Sequence, residues 1–238
     1  MKNSRRIWRF LPLFGLLLSL IASQAAGQDS SKVAKSKQHA ADEAREAAQK
    51  LDEFMSNPST SIPRSLLKNA EAVAVFTNVK KAGFIVGGTK GDGVISRRTG
   101  NTWSPPVYYD MGGADIGLQA GGKQTDYIVV FMTPAALNDL LDDEFELSAA
   151  AGVAAGPMGE TAAVTTGKAS NVYIYSNSGG AFAGATVGGG SIKANNSINE
   201  AVYKMKAGDA LRGAAQLKPA GLPAELTNFS TTLAKYSK

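Results

Sequence analysis

Glycine spacing constrains this chain more than any other feature of its sequence. Of its 26 glycines, 21 lie between Gly83 and Gly190, where they separate short runs of β-branched and aromatic residues. Glycine permits sharp turns and close approach of backbones, and short apolar runs of this kind are typical of strands. We therefore predict an α+β domain with an antiparallel, curved or barrel-like β-sheet, on which N- and C-terminal helices pack.

Helices are predicted on both sides of the glycine-rich region. An alanine-rich apolar stripe at spacings of three and four predicts a helix over Ser31–Ser56, which Asn57 and Pro58 end. Shorter helices are predicted over 63–69, 134–142, 197–206 and 223–236. The connections between strands are short and favour antiparallel hairpins. We interpret Gly87–Gly93 as one such hairpin turn, because it lacks the lysine and hydroxyl ending of a phosphate loop.

The first residues have the pattern of a secretory signal. Four cations within the first nine residues precede an apolar run over Phe10–Ala22 and a small-residue cleavage site at Ser23–Ala25. We therefore expect an exported protein that is periplasmic or peripheral on the envelope membrane. The expected division of the chain is a signal peptide over 1–27, an N-terminal helix over 28–60, the main domain over 61–206 and a C-terminal helical tail over 207–238.

Residue types that carry nucleophilic or metal chemistry are scarce. The chain has no cysteine and one histidine, His39, which argues against zinc sites, disulfides and Ser-His or Cys-His nucleophile systems. His39 lies in the predicted first helix, where we expect a solvated side chain. We expect a protein that is not an enzyme and that has neither a cofactor nor a metal. The enzymatic alternative is a hydrolase with a pair of carboxylates drawn from Asp110, Asp115 and Asp126.

Charge is distributed unevenly along the chain. The net charge is +5, but the four cations of the signal account for most of it, so we do not expect a nucleic-acid partner. Residues 62–100 contain seven cations and two acids, whereas residues 101–160 contain one cation and nine acids. A chain patterned in this way can present a basic face to an anionic partner.

Lysines close to an aromatic side chain suit a surface of anionic head groups and acyl chains, and Lys80 and Lys81 stand close to Phe84. The pattern is compatible with a contact to anionic phospholipid at a membrane surface. The predicted lipid-binding residues are Arg64, Lys68, Lys80, Lys81, Phe84, Arg97 and Arg98. The alternative is that Phe84 is a core residue and that the lysines only solubilise the strand ends.

Eight blocks stand out along the sequence: Ile62–Leu67, Lys81–Phe84, Gly91–Val94, Trp103–Pro106, Gly117–Gly121, Thr125–Tyr127, Ala154–Gly159 and Gly180–Gly184. In this order they resemble the successive blocks of the SYLF lipid-binding domain family. The resemblance implies a non-enzymatic domain that binds acidic phospholipids. Together with the basic residues, it leads us to predict that the chain binds anionic phospholipid at a membrane surface. Eukaryotic members bind phosphoinositides and some engage actin, whereas bacterial members are exported. Because this chain has a bacterial-type signal, we do not expect actin as a partner. The segment Ala201–Lys204 departs from the family's aromatic-glycine ending.

A second function remains open from the sequence. The chain could be an envelope scaffold or interaction protein that binds a protein or glycan partner. Its binding surface would then be the sheet together with the aromatic side chains of Trp103, Tyr108 and Tyr109, which this alternative requires to be exposed.

Overall fold

The computed structural model describes residues 13–82, 87–115, 124–142, 144–147, 152–159, 170–184, 190–217 and 223–238. Three residues named in the predictions from sequence are not fully among the described residues. They are Phe84 and the side chains of Lys81 and Asp115.

The described residues form six α-helices and two short 3-10 helices. The α-helices are α1 (Leu13–Ser56), α2 (Arg64–Asn69), α3 (Asn138–Leu141), α4 (Asn196–Tyr203), α5 (Ala207–Arg212) and α6 (Asn228–Tyr236). The 3-10 helices Pro134–Leu137 and Ala224–Thr227 precede α3 and α6. All the predicted helices are present, although α1 begins before the predicted Ser31. Helix α5 was not predicted. None of the described helices combines the length and the apolar character needed to cross a membrane.

Ten strands within the described residues form one curled, half-barrel sheet. The strands are β1 (Ala72–Ala82), β2 (Gly87–Thr99), β3 (Thr102–Trp103), β4 (Val107–Asp115), β5 (Gln124–Phe131), β6 (Glu144–Glu146), β7 (Val153–Ala155), β8 (Val172–Ser178), β9 (Ala181–Gly184) and β10 (Gly190–Ala194). Their order is β6-β10-β4-β2-β1-β5-β8-β7, with β3 beside β2 and β9 beside β8. The β7–β8 pair is parallel and the other described pairs are antiparallel. The predicted α+β class with a curved sheet is therefore confirmed.

The segment Gly87–Gly93 is part of strand β2, so its interpretation as a hairpin turn is wrong. Gly93 pairs with Phe76 in the neighbouring strand β1. A Cβ atom at Gly93 would overlap the Phe76 ring and lie 2.5 Å from the carbonyl oxygen of Val75. Glycine stands at this position because the Phe76 ring and the β1 backbone occupy the space that a side chain would need. Close approach of a neighbouring group is a common reason for a glycine within a strand.

Helices cover both faces of the sheet, because side chains alternate between the faces along each strand. On the first face, Leu51 of α1 and Leu233 of α6 share a core with Val75 of β1. On the second face, Leu211 of α5 shares a core with Phe76 of β1. The helices from both ends of the chain therefore belong to the same cores as the sheet.

Candidate functional site

The predicted lipid-binding cations do not form one cluster. In the β1–β2 pair, Ala72 faces Arg97 while Lys80 faces Lys90. At about 3.3 Å per residue along β1, these two ends are about 26 Å apart. Arg97 and Arg98 therefore lie at the end of the hairpin that carries α2, and Lys80 lies at the opposite end.

Arg98 holds α2 in place. Its Nε donates to the carbonyl oxygen of Ala70 at 2.7 Å and its Nη2 to that of Leu67 at 2.5 Å. The guanidinium also lies 4.3 Å from the centre of the Trp103 ring. Burial lowers the pKa of Arg98, and the charge of Glu71 opposes that shift. The guanidinium is therefore committed to intramolecular contacts.

The other three cations near α2 differ in how much of them faces solvent. The Nη1 of Arg97 donates to the carbonyl oxygen of Leu211 at 3.0 Å, on the second face of the sheet. Arg64 and Lys68 lie on the exposed side of α2. The guanidinium of Arg64 is 5.6 Å from the centre of the Tyr236 ring. Helix α2 thus presents Arg64 and Lys68 on its outer surface.

Lys80 lies beside a polar cleft between helix α1 and the sheet. The cleft has a volume of about 270 Å³. Its lining side chains, cationic and acidic alike, include His39, Asp42, Glu43, Glu46, Lys80, Lys90 and Asp92. Acids from α1 therefore line the same cleft as Lys80, so this end of the hairpin is not a purely basic surface.

Glu43 is the most unusual residue of this cleft, because its side chain is only 7% exposed. Burial raises the pKa of Glu43 to about 9, and the charges of Asp92, Asp110 and Glu46 add to the shift. Burial also raises the pKa of Asp110. His39, half exposed, places its Nε2 2.8 Å from Oε1 of Glu43. His39 is therefore partly exposed to solvent, as expected, but its imidazole also contacts the buried Glu43 side chain.

The structure does not bring Asp110 and Asp126 of the hydrolase alternative together, and the side chain of Asp115 lies outside the described residues. Asp110 lies on β4 and accepts from the Asn195 side chain at 3.0 Å. Asp126 lies on β5, where it accepts from the backbone N–H of Asn78 at 2.9 Å and pairs with Lys50 at 3.3 Å. Because β2 and β1 separate the two strands, three strand spacings of about 4.8 Å place them about 14 Å apart along the sheet. Glycosidase pairs are about 5 to 9.5 Å apart.

The aromatic residues of the scaffold alternative are buried, so their predicted exposure is wrong. Trp103 is 4% exposed and donates from Nε1 to Ser237 at 2.8 Å. Tyr108 and Tyr109 are fully buried, and their hydroxyls donate to backbone carbonyls of α1 and α3 respectively. Tyr108 and Tyr109 lie on β4, an interior strand of the sheet, and helices cover both of its faces.

A basic groove between α1 and the α4–α5 corner, here called the α1–α4 groove, escaped the sequence analysis. Its volume is about 720 Å³, and its lining includes Lys32, Val33, Glu200, Lys204, Met205, Lys206 and Asp209. Among the described residues, Met205 is the one large apolar side chain classed as exposed, at 37%. The alternation of Lys204, Met205 and Lys206 in the sequence could have indicated this surface.

The α4–α5 corner is held rigidly. Lys204 has φ of 61°, a left-handed conformation that ends α4, and its N–H donates to the carbonyl of Glu200. The side chain of Asn196 accepts from the N–H of Ala207 at 2.8 Å, which ties the start of α5 to the start of α4. The side chains of the α1–α4 groove are therefore presented from a fixed backbone.

Comparisons with known proteins place the chain in a family. The family model described as Ysc84, Las17-binding protein actin regulator, matches residues 112–236. Over 148 residues the chain is 36% identical to Protein YSC84 of Saccharomyces cerevisiae, an alignment that covers 60% of this chain and 31% of the relative. LAS seventeen-binding protein 3 of the same species is 34% identical over 148 residues, which cover 60% of this chain and 32% of the relative.

A vertebrate relative extends the match. SH3 domain-containing YSC84-like protein 1 of Xenopus laevis is 29% identical over 170 residues, which cover 68% of this chain and 50% of the relative. The chain thus spans about a third to a half of the length of these curated relatives. The family model covers the sheet from β4 onward and the helices α4 to α6. The chain belongs to the Ysc84, or SYLF, family, as its sequence blocks predicted.

Proposed function

We propose that this chain binds anionic phospholipid at a membrane surface and acts there without catalysis. The observation that carries the proposal is the exposed Met205 between Lys204 and Lys206. An apolar side chain flanked by cations can enter the boundary between head groups and acyl chains while the ammonium groups contact phosphate. Lys32 of α1 lines the same groove from the opposite side.

The charges around the α1–α4 groove favour an anionic surface. Besides the lysines that line it, Lys35 and Lys37 are exposed on α1 nearby in sequence. Two acids oppose these cations, but Asp209 is itself 3.5 Å from the guanidinium of Arg212. Each lysine near an anionic surface contributes about 1 kcal/mol, so these side chains suffice for salt-sensitive binding.

The predicted residues Arg64 and Lys68 form a second, smaller basic surface on α2. Both side chains are exposed, as lipid binding requires. Among the described residues of α2, however, no large apolar side chain is exposed beside them. We therefore assign the principal contact to the α1–α4 groove and a weaker electrostatic contribution to α2. Arg97 and Arg98 contribute less to lipid binding, because their guanidinium groups donate to backbone carbonyls. Lys80 also contributes less, because acidic side chains line the same cleft.

Vesicle sedimentation tests the proposal. The chain from Gln28 onward, without the predicted signal, is mixed with neutral vesicles and with vesicles that contain phosphatidylglycerol, over a series of salt concentrations. We expect binding only to the anionic vesicles, with loss as salt rises. The double variant K204E/K206E should weaken that binding at least tenfold, whereas the matched variant R64E/K68E should weaken it less. Equal binding to neutral vesicles, or no effect of K204E/K206E on a folded protein, would contradict the proposal.

A protein partner is the second candidate function, and the names of the relatives favour it. One relative is named for binding LAS seventeen, and the family description names an actin regulator. Cosedimentation with filamentous actin and pull-down from envelope extract test this candidate. We expect no cosedimentation with actin. A stable complex with an extracted protein, combined with vesicle binding that ignores lipid charge, would favour the second candidate over the first.

We also propose that the chain is exported. The support is the charged start, the apolar run over Phe10–Ala22 and the small residues at Ser23–Ala25. Fusion of residues 1–27 to a reporter enzyme that is active only outside the cytoplasm tests this proposal. Activity from the fusion is expected, and loss of activity after Leu16, Leu17 and Leu18 are changed to Asp serves as the control.

A further inference from the structure

Three side chains at the mouth of the polar cleft point to a metal ion. Oε1 of Glu43, Nε2 of His39 and Oδ2 of Asp92 come from helix α1 and strand β2, and ligand atoms of the three residues lie within 4.8 Å of one another. His39 Nε2 is 2.8 Å from Glu43 Oε1 and 3.8 Å from Asp92 Oδ2. In a tetrahedral zinc site with each ligand atom about 2.1 Å from the metal, two ligand atoms are about 3.4 Å apart. That separation lies between the two distances from His39 Nε2.

The buried carboxylate supplies a second, independent observation. Glu43 is 6% exposed. Nε2 of His39 lies 2.8 Å from its Oε1, but Oε1 accepts no hydrogen bond of acceptable geometry within the described part of the chain. A buried carboxylate oxygen without a hydrogen bond is costly unless a charged group or a metal ion neutralises it. Helical spacing of four residues places His39 and Glu43 on the same face of α1, where both ligand atoms approach β2.

The sheet places a further carboxylate close to the three ligands. Asp92 on β2 and Asp110 on β4 are direct cross-strand partners, and like charges in that position repel. Lys80 and Lys90 line the cleft, but neither makes an ion pair with Glu43 or Asp92 among the described residues. A divalent cation would add positive charge among these acids, beside that of Lys80 and Lys90.

We propose that His39, Glu43 and Asp92 bind one divalent transition-metal ion and thereby tie helix α1 to strand β2. One imidazole and two carboxylates suit zinc and its first-row neighbours, whereas calcium and magnesium prefer sites made of oxygen alone. Residue counts argued against a zinc site because the chain has no cysteine and one histidine. This ligand set needs neither a cysteine nor a second histidine. The cleft leaves room for water at the remaining coordination positions.

Neighbouring contacts keep other polar groups from competing for the ion. The Glu46 side chain accepts from Asn78, and Asp110 accepts from Asn195 at 3.0 Å and 3.3 Å. Asp110 remains available as an outer partner that orients water on the ion. His39 and Asp92 are 52% and 41% exposed at their side chains, which gives the ion a path from solvent.

Calorimetric titration with zinc tests the site. The full chain is purified without a polyhistidine tag, treated with a chelator and exchanged into chelator-free buffer. We expect one zinc ion per chain, with no binding of magnesium or calcium at the same concentration. The variants His39→Ala and Asp92→Asn should bind zinc at least tenfold more weakly. The matched control Asp42→Asn, which lines the same cleft without belonging to the ligand set, should bind zinc as the unchanged chain does.

A second measurement keeps the result interpretable if a variant is unstable. Cobalt added to the unchanged chain should give visible absorption bands, which zinc then displaces. Both altered side chains are substantially exposed, and circular dichroism confirms that each variant is folded. A folded chain that binds no zinc, or a His39→Ala variant that binds zinc as tightly as the unchanged chain, would overturn the proposal. The metal site is independent of lipid binding, so failure of either leaves the other standing.

Discussion

Single residues in this chain often serve a different purpose from the one that their type suggests. Arg98 belongs to a basic stretch of the sequence, yet its guanidinium caps the carbonyls of Leu67 and Ala70 at the end of α2. Gly93 belongs to a loop-like glycine run, yet it lies in a strand beneath the Phe76 ring. In both cases, the neighbours that decide the role are about 17 to 31 positions away in the sequence.

The contacts of Arg98 predict a structural effect of its removal. Arg98→Ala removes the guanidinium donors from the carbonyls of Ala70 and Leu67 and its contact with the Trp103 ring, while the Leu67 carbonyl keeps the N–H of Ala70. It should lower the free energy of unfolding by about 2 kcal/mol. Urea unfolding followed by circular dichroism measures the change. Lys68→Ala, on the exposed side of α2, should change it by about 0.5 kcal/mol or less. If Arg98→Ala instead weakened vesicle binding without loss of stability, Arg98 would be a lipid contact after all.

The packing at Gly93 predicts that alanine is not tolerated there. Because the new methyl group would overlap the Phe76 ring, Gly93→Ala should cost about 1 to 3 kcal/mol of stability. Gly100→Asn is the control, since Gly100 has φ of 65° with open space around it and asparagine accepts that conformation. Thermal unfolding of the two variants should therefore differ clearly, and equal melting temperatures would contradict the placement of Gly93 within β2.

At the scale of elements, the fold depends on how helices attach to strands. Helix α4 docks on β4 through Asn199, a fully buried side chain in a short amphipathic helix. Its Oδ1 accepts from the N–H of Tyr108 at 3.0 Å, and its Nδ2 donates to the carbonyl of Tyr108 at 2.8 Å. The amide side chain thus satisfies both backbone groups of Tyr108 and joins the corner that carries Met205 to the sheet.

This attachment predicts a large effect of one substitution. Asn199→Ala leaves the buried N–H of Tyr108 without an acceptor, whereas the carbonyl of Tyr108 keeps the N–H of Asn195 at 3.1 Å. The substitution should lower the free energy of unfolding by about 1 to 3 kcal/mol. Ser197→Ala, on the exposed side of the same helix, should change it by about 0.5 kcal/mol or less. Hydrogen exchange at the Tyr108 amide measures the local effect directly. Unchanged protection of that amide in Asn199→Ala would contradict the bond.

At the scale of the whole molecule, the terminal helices and the sheet form one cooperative structure. Lys235 of α6 pairs with Asp52 of α1 at 2.9 Å, and Trp103 of β3 donates to Ser237 beyond α6. Phe229 and Leu233 are fully buried against the first face of the sheet. Residues 207–238 are thus packed into the cores rather than attached loosely to the domain.

Cooperative packing predicts coincident unfolding transitions. In a Trp8→Phe background, Trp103 fluorescence reports the docking of α6, and far-ultraviolet circular dichroism reports the whole chain. The two urea transitions should coincide, and Leu233→Ala should shift both by the same amount, with a loss of about 2 to 5 kcal/mol. Lys35→Ala, exposed on α1, should leave both in place. An earlier fluorescence transition would show that α6 unfolds separately.

The sequence by itself determined the class of fold, the type and place of most helices and the family, because hydrophobic period, helix-ending residues and ordered blocks are local signals. Helix α5 was missed because it is only six residues long and includes Gly208. The hairpin turn was misassigned because glycine serves both turns and close packing. Only the tertiary structure decided which cations share a surface, that Trp103, Tyr108 and Tyr109 are buried, and that His39, Glu43 and Asp92 meet. Those facts depend on strand register and on where α1 crosses the sheet, and both are set by contacts between residues far apart in the chain.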